Sequence, residues 1–85
     1  MPGDANKLLA RMRASKAGWS QADLESLYLG FGFKYREGKR HRLYFHPKHP
    51  ELFATVARQS PLAKGYIIHA IRLIERLMQM EDARD

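Results

Sequence analysis

The positions of hydrophobic and polar residues predict two helices in the first third of the chain. Residues 4–16 carry a short apolar stripe formed by Leu8, Leu9 and Met12, which predicts a first helix. The stripe is narrow, and this is typical of a helix that is loosely attached or that serves a partner. Residues 21–30 predict a second helix, because apolar residues recur there at the spacing of one helical face.

The second helix also carries signals for its start and its end. Ser20 precedes it and Asp23 follows three residues later, which is the spacing of a capping box that satisfies free backbone amides. Gly30 and Gly32 lie at its end, where glycine permits the left-handed backbone that terminates many helices. The chain is therefore expected to leave the helix near residue 30.

The pattern then changes from a helical period to the alternation of strands. Residues 33–37, FKYRE, alternate aromatic and charged side chains, and a glycine turn separates them from RHRLYF at residues 40–45. Two prolines make HPKHPE a loop, and LFATVAR, at residues 52–58, is rich in residues that favour strands. We expect a hairpin followed by a third strand.

The last element is the clearest helix of the chain. Apolar residues line one face of residues 66–78, and charged residues line the other. The element order predicts an α+β fold, in which a three-stranded antiparallel sheet carries helices on one face and exposes the other to solvent. With 85 residues, the chain is expected to form a single compact domain.

Charge changes this picture, because the net charge of +6 is concentrated in one segment. Residues 34–49 contain six cations and one carboxylate, so this segment alone carries a net charge of +5 (six minus one). The cations are Lys34, Arg36, Lys39, Arg40, Arg42 and Lys48. They alternate with the aromatic residues Phe33, Tyr35, Tyr44 and Phe45. This mixture predicts a surface that binds nucleic acid through phosphate contacts and base stacking, although a charge run of this kind also occurs on ordinary solvated strands.

Several kinds of protein are excluded or disfavoured by composition. The chain contains no cysteine, which excludes disulfide bonds and thiolate metal sites. No apolar run approaches the length of about 20 residues that spans a membrane, and the first residues lack the apolar stretch of a secretory signal. We therefore expect a cytoplasmic protein with no membrane partner and no cofactor.

Three histidines within nine residues raise the question of a metal site. His41 and His46 are five positions apart, so a strand would point them to opposite faces, and no acidic or thiol ligand accompanies His49. We expect no metal, and we interpret His46 and His49 as polar loop residues. His41 follows a turn and is flanked by Arg40 and Arg42, which suits proton transfer beside a bound phosphate. From the residues alone, it is either a catalytic group or an incidental surface histidine.

Several stretches resemble the HicA family of bacterial toxins. They are LESLYLGFGFKYREGKRHRLYFHP, then TVAR, then LAKGYIIHAIRLI. The pattern shared with the family consists of Gly38, His41, Tyr44, His46, Pro47 and the pair Lys64-Gly65. The similarity covers residues 20–78, so we interpret residues 1–19 as an N-terminal helical extension and residues 20–85 as a HicA-like domain.

The resemblance implies a fold like that of the double-stranded RNA-binding domain, with the order α-β-β-β-α. It also implies a metal-independent endoribonuclease that cleaves mRNA, with His41 as the catalytic residue and a cognate HicB-like antitoxin as partner. The family usually has Gly-Ser-His at the turn, whereas Lys39 and Arg40 precede His41 in this chain. Two alternatives stay open: a non-catalytic RNA-binding module, and an interaction protein that binds an acidic partner through the same basic face.

Overall fold

The computed structural model describes residues 2–58 and 61–83, which form three helices and one three-stranded sheet. The elements are α1 (Pro2–Ala14), α2 (Gln21–Gly30), β1 (Lys34–Glu37), β2 (His41–Phe45), β3 (Phe53–Ala57) and α3 (Lys64–Ala83). The α+β class and the predicted order of elements are confirmed. The first helix begins and ends two residues earlier than predicted, and the last helix is longer than its predicted apolar stripe.

The capping box predicted for α2 is present. The Ser20 hydroxyl accepts a hydrogen bond from the Asp23 amide at 3.1 Å, and the Asp23 carboxylate accepts one from the Ser20 amide at 3.0 Å. At the other end Gly32 has a φ of +90°, a conformation that favours glycine. The Phe33 amide then donates to the Tyr28 carbonyl at 3.0 Å, which turns the chain into β1.

The three strands pair in the order β1-β2-β3, and both pairings are antiparallel. The predicted hairpin is confirmed, since β1 and β2 are joined by a tight turn in which the Gly38 amide donates to the His41 carbonyl at 2.8 Å. A Cβ atom at Gly38 would lie 2.8 Å from that carbonyl oxygen, so the turn requires glycine. Lys39 and Arg40 form the tip of this turn.

The hydrophobic core lies between one face of the sheet and the three helices. Side chains alternate along β3, so that Ala54 and Val56 are buried while Phe53 and Thr55 are exposed. Tyr44 is the partner of Ala54 on β2 and is also buried. α3 supplies the largest part of the helical layer through Ile67, Ala70, Ile71, Leu73, Ile74 and Leu77. The opposite face of the sheet is open, as the sequence predicts. No helix in the described part of the chain is long and apolar enough to cross a membrane.

Helix α1 is packed firmly against the rest of the molecule. Leu9 and Met12 belong to the core, and α1 contacts both α2 and α3. Arg13 also forms a salt bridge with Glu75 of α3, with 3.0 Å between the guanidinium nitrogen and the carboxylate oxygen. The expectation of a loosely attached helix is therefore wrong. A narrow stripe suffices here because α1 meets α2 at very close range.

The close approach of α1 and α2 depends on Gly30. A Cβ atom at this position would lie 2.5 Å from the Cβ atom of Ala5, which is shorter than any normal carbon–carbon contact. We expect Gly30→Ala to destabilise the protein by about 1–3 kcal/mol, because the two helices must separate to admit the methyl group. Equilibrium unfolding in urea measures this loss.

Gly65 provides the matched control, since no atom lies within 4 Å of a Cβ built there. Gly65→Ala should leave stability unchanged or raise it by at most about 1 kcal/mol, because alanine is the better helix former. The double variant Ala5→Gly/Gly30→Ala should recover part of the loss. A stabilising effect of Gly30→Ala would show that the two helices are not in tight contact.

Candidate nucleic-acid interface

The alternation of side chains along β2 separates the basic segment into two groups. Val56 is buried against the helices, so its partner Arg42 lies on the helix-facing side of the sheet, and His41 lies on the other side. We call the solvent-facing side the open face. It consists of Lys34, Arg36, His41, Leu43, Phe45, Phe53, Thr55 and Ala57.

His41 is exposed at the first position of β2, where its backbone is held on both sides. Its carbonyl oxygen accepts the hydrogen bond from Gly38, and the carbonyl of Arg40 accepts a hydrogen bond from the Arg58 amide at 3.3 Å. The imidazole has no hydrogen-bond partner among the residues that the structure describes. His41 is therefore fixed in position by its backbone while its ring remains free to meet a ligand.

The exposed cations surround His41 unevenly. Lys39 and Arg40 are adjacent to it at the turn, and both side chains are exposed. Arg36 pairs with Leu43 and is a diagonal neighbour of His41, which places the two Cα atoms about 7–8 Å apart. Lys34 lies further along β1, opposite Phe45.

Lys48 is also exposed, but it belongs to the loop that follows the other end of β2. The four residue steps from His41 to Phe45 span about 13 Å of extended strand. Lys48 is therefore remote from His41. Of the six cations predicted to bind RNA, Lys39, Arg40 and Arg36 lie beside His41.

Arg42 occupies a different environment from its neighbours in sequence. Its side chain is only 19% exposed and forms salt bridges with Glu25 of α2 and Glu37 of β1. The guanidinium also lies over the Tyr35 ring, 4.2 Å from its centroid. The hydrogen bond from Arg42 is the main cause of a lowered pKa of Glu37; desolvation opposes it, and the charges of Arg42 and Arg58 and the hydrogen bond from Arg58 lower the pKa further. Arg42 therefore joins the sheet to α2 and does not share a surface with His41.

The predicted aromatic residues also divide between the two sides of the sheet. Phe33 and Tyr44 are buried around Tyr28, with ring centroids 4.9 and 4.5 Å from that of Tyr28. Tyr35 lies on the helix-facing side at the edge of the sheet. Of these four aromatic residues, only Phe45 belongs to the open face.

Phe53 is a residue of the open face that the sequence prediction missed. It begins β3, its side chain is 55% exposed, and it pairs directly with Phe45. The sequence does contain the signal, because Leu52, Ala54 and Val56 form the apolar set of this strand and leave Phe53 on the opposite side. A large aromatic side chain is thus displayed on the face that also carries His41.

His46 and His49 lie in the loop between β2 and β3, as predicted, and both side chains are buried. The Nδ1 atom of His46 accepts a hydrogen bond from the Lys48 amide at 3.2 Å, and its ring meets Phe33 edge-on. His49 Nε2 lies 3.1 Å from a carboxylate oxygen of Glu81 in α3. His49 therefore anchors the proline-containing loop to the last turns of α3, while His46 packs against Phe33.

No group of three or more histidine, aspartate or glutamate side chains converges as a metal site within residues 2–58 and 61–83. His46 and His49 are neighbours, with ring centroids 5.2 Å apart, but His41 lies at the far end of β2. The three histidines of the sequence window therefore do not form one cluster.

A groove borders the open face along the outer edge of β3. It has a volume of about 470 Å³ and is lined by Thr55, Ala63, Gly65, Tyr66 and His69. The Tyr66 hydroxyl accepts a hydrogen bond from the Ala57 amide, and His69 Nε2 lies 3.3 Å from the Phe53 carbonyl. Side chains of α3 thus occupy backbone groups of β3 that a further strand would otherwise pair with.

Comparison with known proteins provides no relative from which a function can be transferred. No family model, curated protein or solved structure matches this chain. The functional interpretation therefore depends on the residues of the open face.

Arg42 and Arg40 allow a direct test of the division between the two sides of the sheet. We expect Arg42→Gln to destabilise the fold, because the contact with Tyr35 and the bond to Glu25 together contribute about 1–2 kcal/mol. Arg40→Gln removes the same charge from an exposed turn and should change stability by less than about 0.5 kcal/mol. Thermal unfolding of both variants distinguishes them, and equal losses would contradict the placement of Arg42.

Protonation of His46 should make stability depend on pH. Burial lowers the pKa of His46, and the neighbouring His49 and Lys48 lower it further, against an opposing effect of Glu81. His46 therefore binds a proton less readily in the folded protein than in the unfolded chain, where a histidine has a pKa of about 6.5. The stability that the protein gains from neutral His46 is fully present above that pH. It is lost as the pH falls through the lowered pKa of His46 in the folded state.

We accordingly expect the melting temperature to be lower at pH 5.5 than at pH 7.5. His46→Gln keeps polar groups at the site but removes the titration, so its melting temperature should change less over the same interval. His69→Gln serves as a control for the loss of an exposed imidazole. The same pH dependence in wild type and His46→Gln would assign the effect to another group.

Proposed function

We propose that this chain is an endoribonuclease that cleaves mRNA, with the open face as its RNA-binding surface and His41 as its general base. The observation that supports this most directly is the position of His41, exposed on the side of the sheet opposite the helices and bordered by Lys39, Arg40 and Arg36. None of these three cations has a salt-bridge partner in the described part of the chain. They are available for phosphates, in contrast to Arg42.

The proposed reaction uses the imidazole to remove the proton of a ribose 2′-hydroxyl group. The 2′ oxygen attacks the adjacent phosphorus atom, and the bond from phosphorus to the 5′ oxygen of the next nucleotide breaks. The products are a 2′,3′-cyclic phosphate and a 5′-hydroxyl end, the latter protonated from solvent. Arg40 and Lys39 would bind the phosphate oxygens and stabilise the charge that develops on them.

The resemblance to HicA toxins extends this proposal to fold and partners. The order α2-β1-β2-β3-α3, with the helices on one side of the sheet, agrees with the fold like that of the double-stranded RNA-binding domain which the resemblance implies. The protein would then be the toxin of a type II toxin–antitoxin system, acting on mRNA in the cytoplasm without a metal ion. A HicB-like antitoxin would be its protein partner.

A second candidate is an RNA-binding module that does not cleave. The observation in its favour is that no described residue forms a hydrogen bond with the His41 imidazole, so none of them orients the ring for proton transfer. Catalytic hydrogen bonds often tighten only when substrate is bound, and the experiment must therefore include RNA. The two candidates share the open face and differ only in the fate of the RNA.

Replacement of His41 separates the two candidates. A positioned general base contributes about 10²- to 10⁴-fold to a rate, so we expect His41→Ala to reduce cleavage of mRNA by at least a factor of about 100. The melting temperature should be unchanged, because the side chain is exposed, and RNA binding should persist. Cleavage is measured with end-labelled RNA and, in cells, by growth arrest and mRNA decay on induction.

The control is His69→Ala, which removes the other exposed histidine of the described chain from a position on α3. It should retain wild-type cleavage. Full cleavage by His41→Ala would contradict the assignment of the base. RNA that stays intact with the wild-type protein but is bound in a salt-dependent manner would instead favour the non-catalytic module.

A further inference from the structure

We infer that the open face binds single-stranded RNA, with Phe53 as the platform on which an unpaired base stacks. This inference deepens the proposed function and depends on it, since it names the form of RNA that the same surface accepts. It is carried by the arrangement of cations and aromatic rings across the three strands. Phe53 is not among the site residues predicted from the sequence. It also has no role in the proposed cleavage reaction.

Phe53 lies largely outside the hydrophobic core. Its exposed fraction of 55% is larger than those of Leu29, Tyr35 and Ile68, which are also large apolar side chains exposed to solvent. A single exposed apolar residue would carry little meaning. Phe53, however, pairs with Phe45 in the register of the sheet and so extends an apolar surface that continues through Leu43.

The residues of the open face are ordered from cationic to aromatic across the sheet. Lys34, Phe45 and Phe53 form one row, because Phe45 pairs with Lys34 on one side and with Phe53 on the other. The next row begins with Arg36, whose guanidinium also lies over the Phe45 ring at 5.6 Å. The β1 side of the face is therefore cationic, and the β3 side is aromatic or neutral.

This order matches the two sides of a nucleotide chain. Neighbouring strands are about 4.8 Å apart, so the cations of β1 and the ring of Phe53 are separated by about 10 Å. An RNA strand that follows β2 would direct its phosphates toward Lys34 and Arg36 and its bases toward Phe53. His41 lies at one end of this path, about 13 Å along β2 from Phe45.

Stacking on Phe53 requires a base with a free face. The bases of a duplex are stacked and paired with one another, whereas proteins that bind single strands combine a cationic track with exposed aromatic rings. The open face has both components. The chemistry of the surface therefore favours an unpaired segment of RNA over a double helix.

The experiment measures RNA binding in the His41→Ala background, so that cleavage does not interfere. The probe is a fluorescent 12-nucleotide RNA without secondary structure, used alone and annealed to its complement, and binding is followed by anisotropy. We expect the single strand to bind more tightly than the duplex. Loss of one stacked base should make Phe53→Ala bind the single strand about 5- to 150-fold more weakly, while Phe53→Trp should bind at least as well as the parent.

Leu29→Ala is the matched control, since Leu29 is an exposed apolar residue of α2 that lies outside the open face. It should leave RNA affinity unchanged, and thermal unfolding should show that all variants remain folded. Unaltered affinity of Phe53→Ala, or tighter binding of the duplex, would overturn the inference while leaving RNA binding by the open face in place. If the parent binds neither RNA form, the proposed function fails as well, and an acidic protein becomes the ligand to test.

Discussion

A three-stranded sheet with helices on one side can bury only half of its side chains, and this constraint decides the chemistry of every strand position. Tyr44, Ala54 and Val56 enter the core, so the residues between them must face solvent. His41 and Phe53 are exposed for this reason, and Phe45 is partly exposed. Shifting the register by one residue would exchange the two sets and would place charged groups in the core.

The same constraint divides the positive charge. Arg42 is adjacent to His41 in sequence, yet it points toward the helices, where Glu25 and Glu37 neutralise it. Of the remaining cations, Lys34 and Arg36 face solvent on the β1 side of the sheet, Lys39 and Arg40 at the turn, and Lys48 in the loop after β2. The basic segment is thus partly a structural ion cluster and partly a surface for ligands. The net charge read from the sequence does not distinguish the cations of the ion cluster from those exposed to ligands.

Local patterns predicted most of the fold because they depend on near neighbours. The capping box of α2, the glycine turn at Gly38 and the alternation of β1 are all set within a few residues. The contacts that the prediction missed join distant parts of the chain. Arg42 meets Glu25, which lies 17 residues earlier, and His49 meets Glu81, which lies 32 residues later. The proline-containing segment was predicted as a loop, but the burial of His46 against Phe33 and of His49 against α3 depends on residues distant in sequence.

The candidate site was predictable in part for the same reason. His41 and its neighbouring cations could be located from the turn and the strand pattern. The separation of Arg42 from these cations depends on which side of the sheet the helices cover. The position of Phe53 on the open face depends on the same information. Helix α1 was underestimated because its close contact with α2 depends on the absence of a side chain at Gly30, which no hydrophobic pattern reports.

The contacts of Tyr66 and His69 with the outer edge of β3 have a consequence for how the chain emerges during synthesis. Both residues follow β3 in sequence, so the three strands are complete before the side chains that cover this edge have been added. An uncovered strand edge is a template for pairing with other chains. Docking of α3 therefore closes the hydrophobic core and, in the same step, covers the β3 edge so that it cannot pair with another chain.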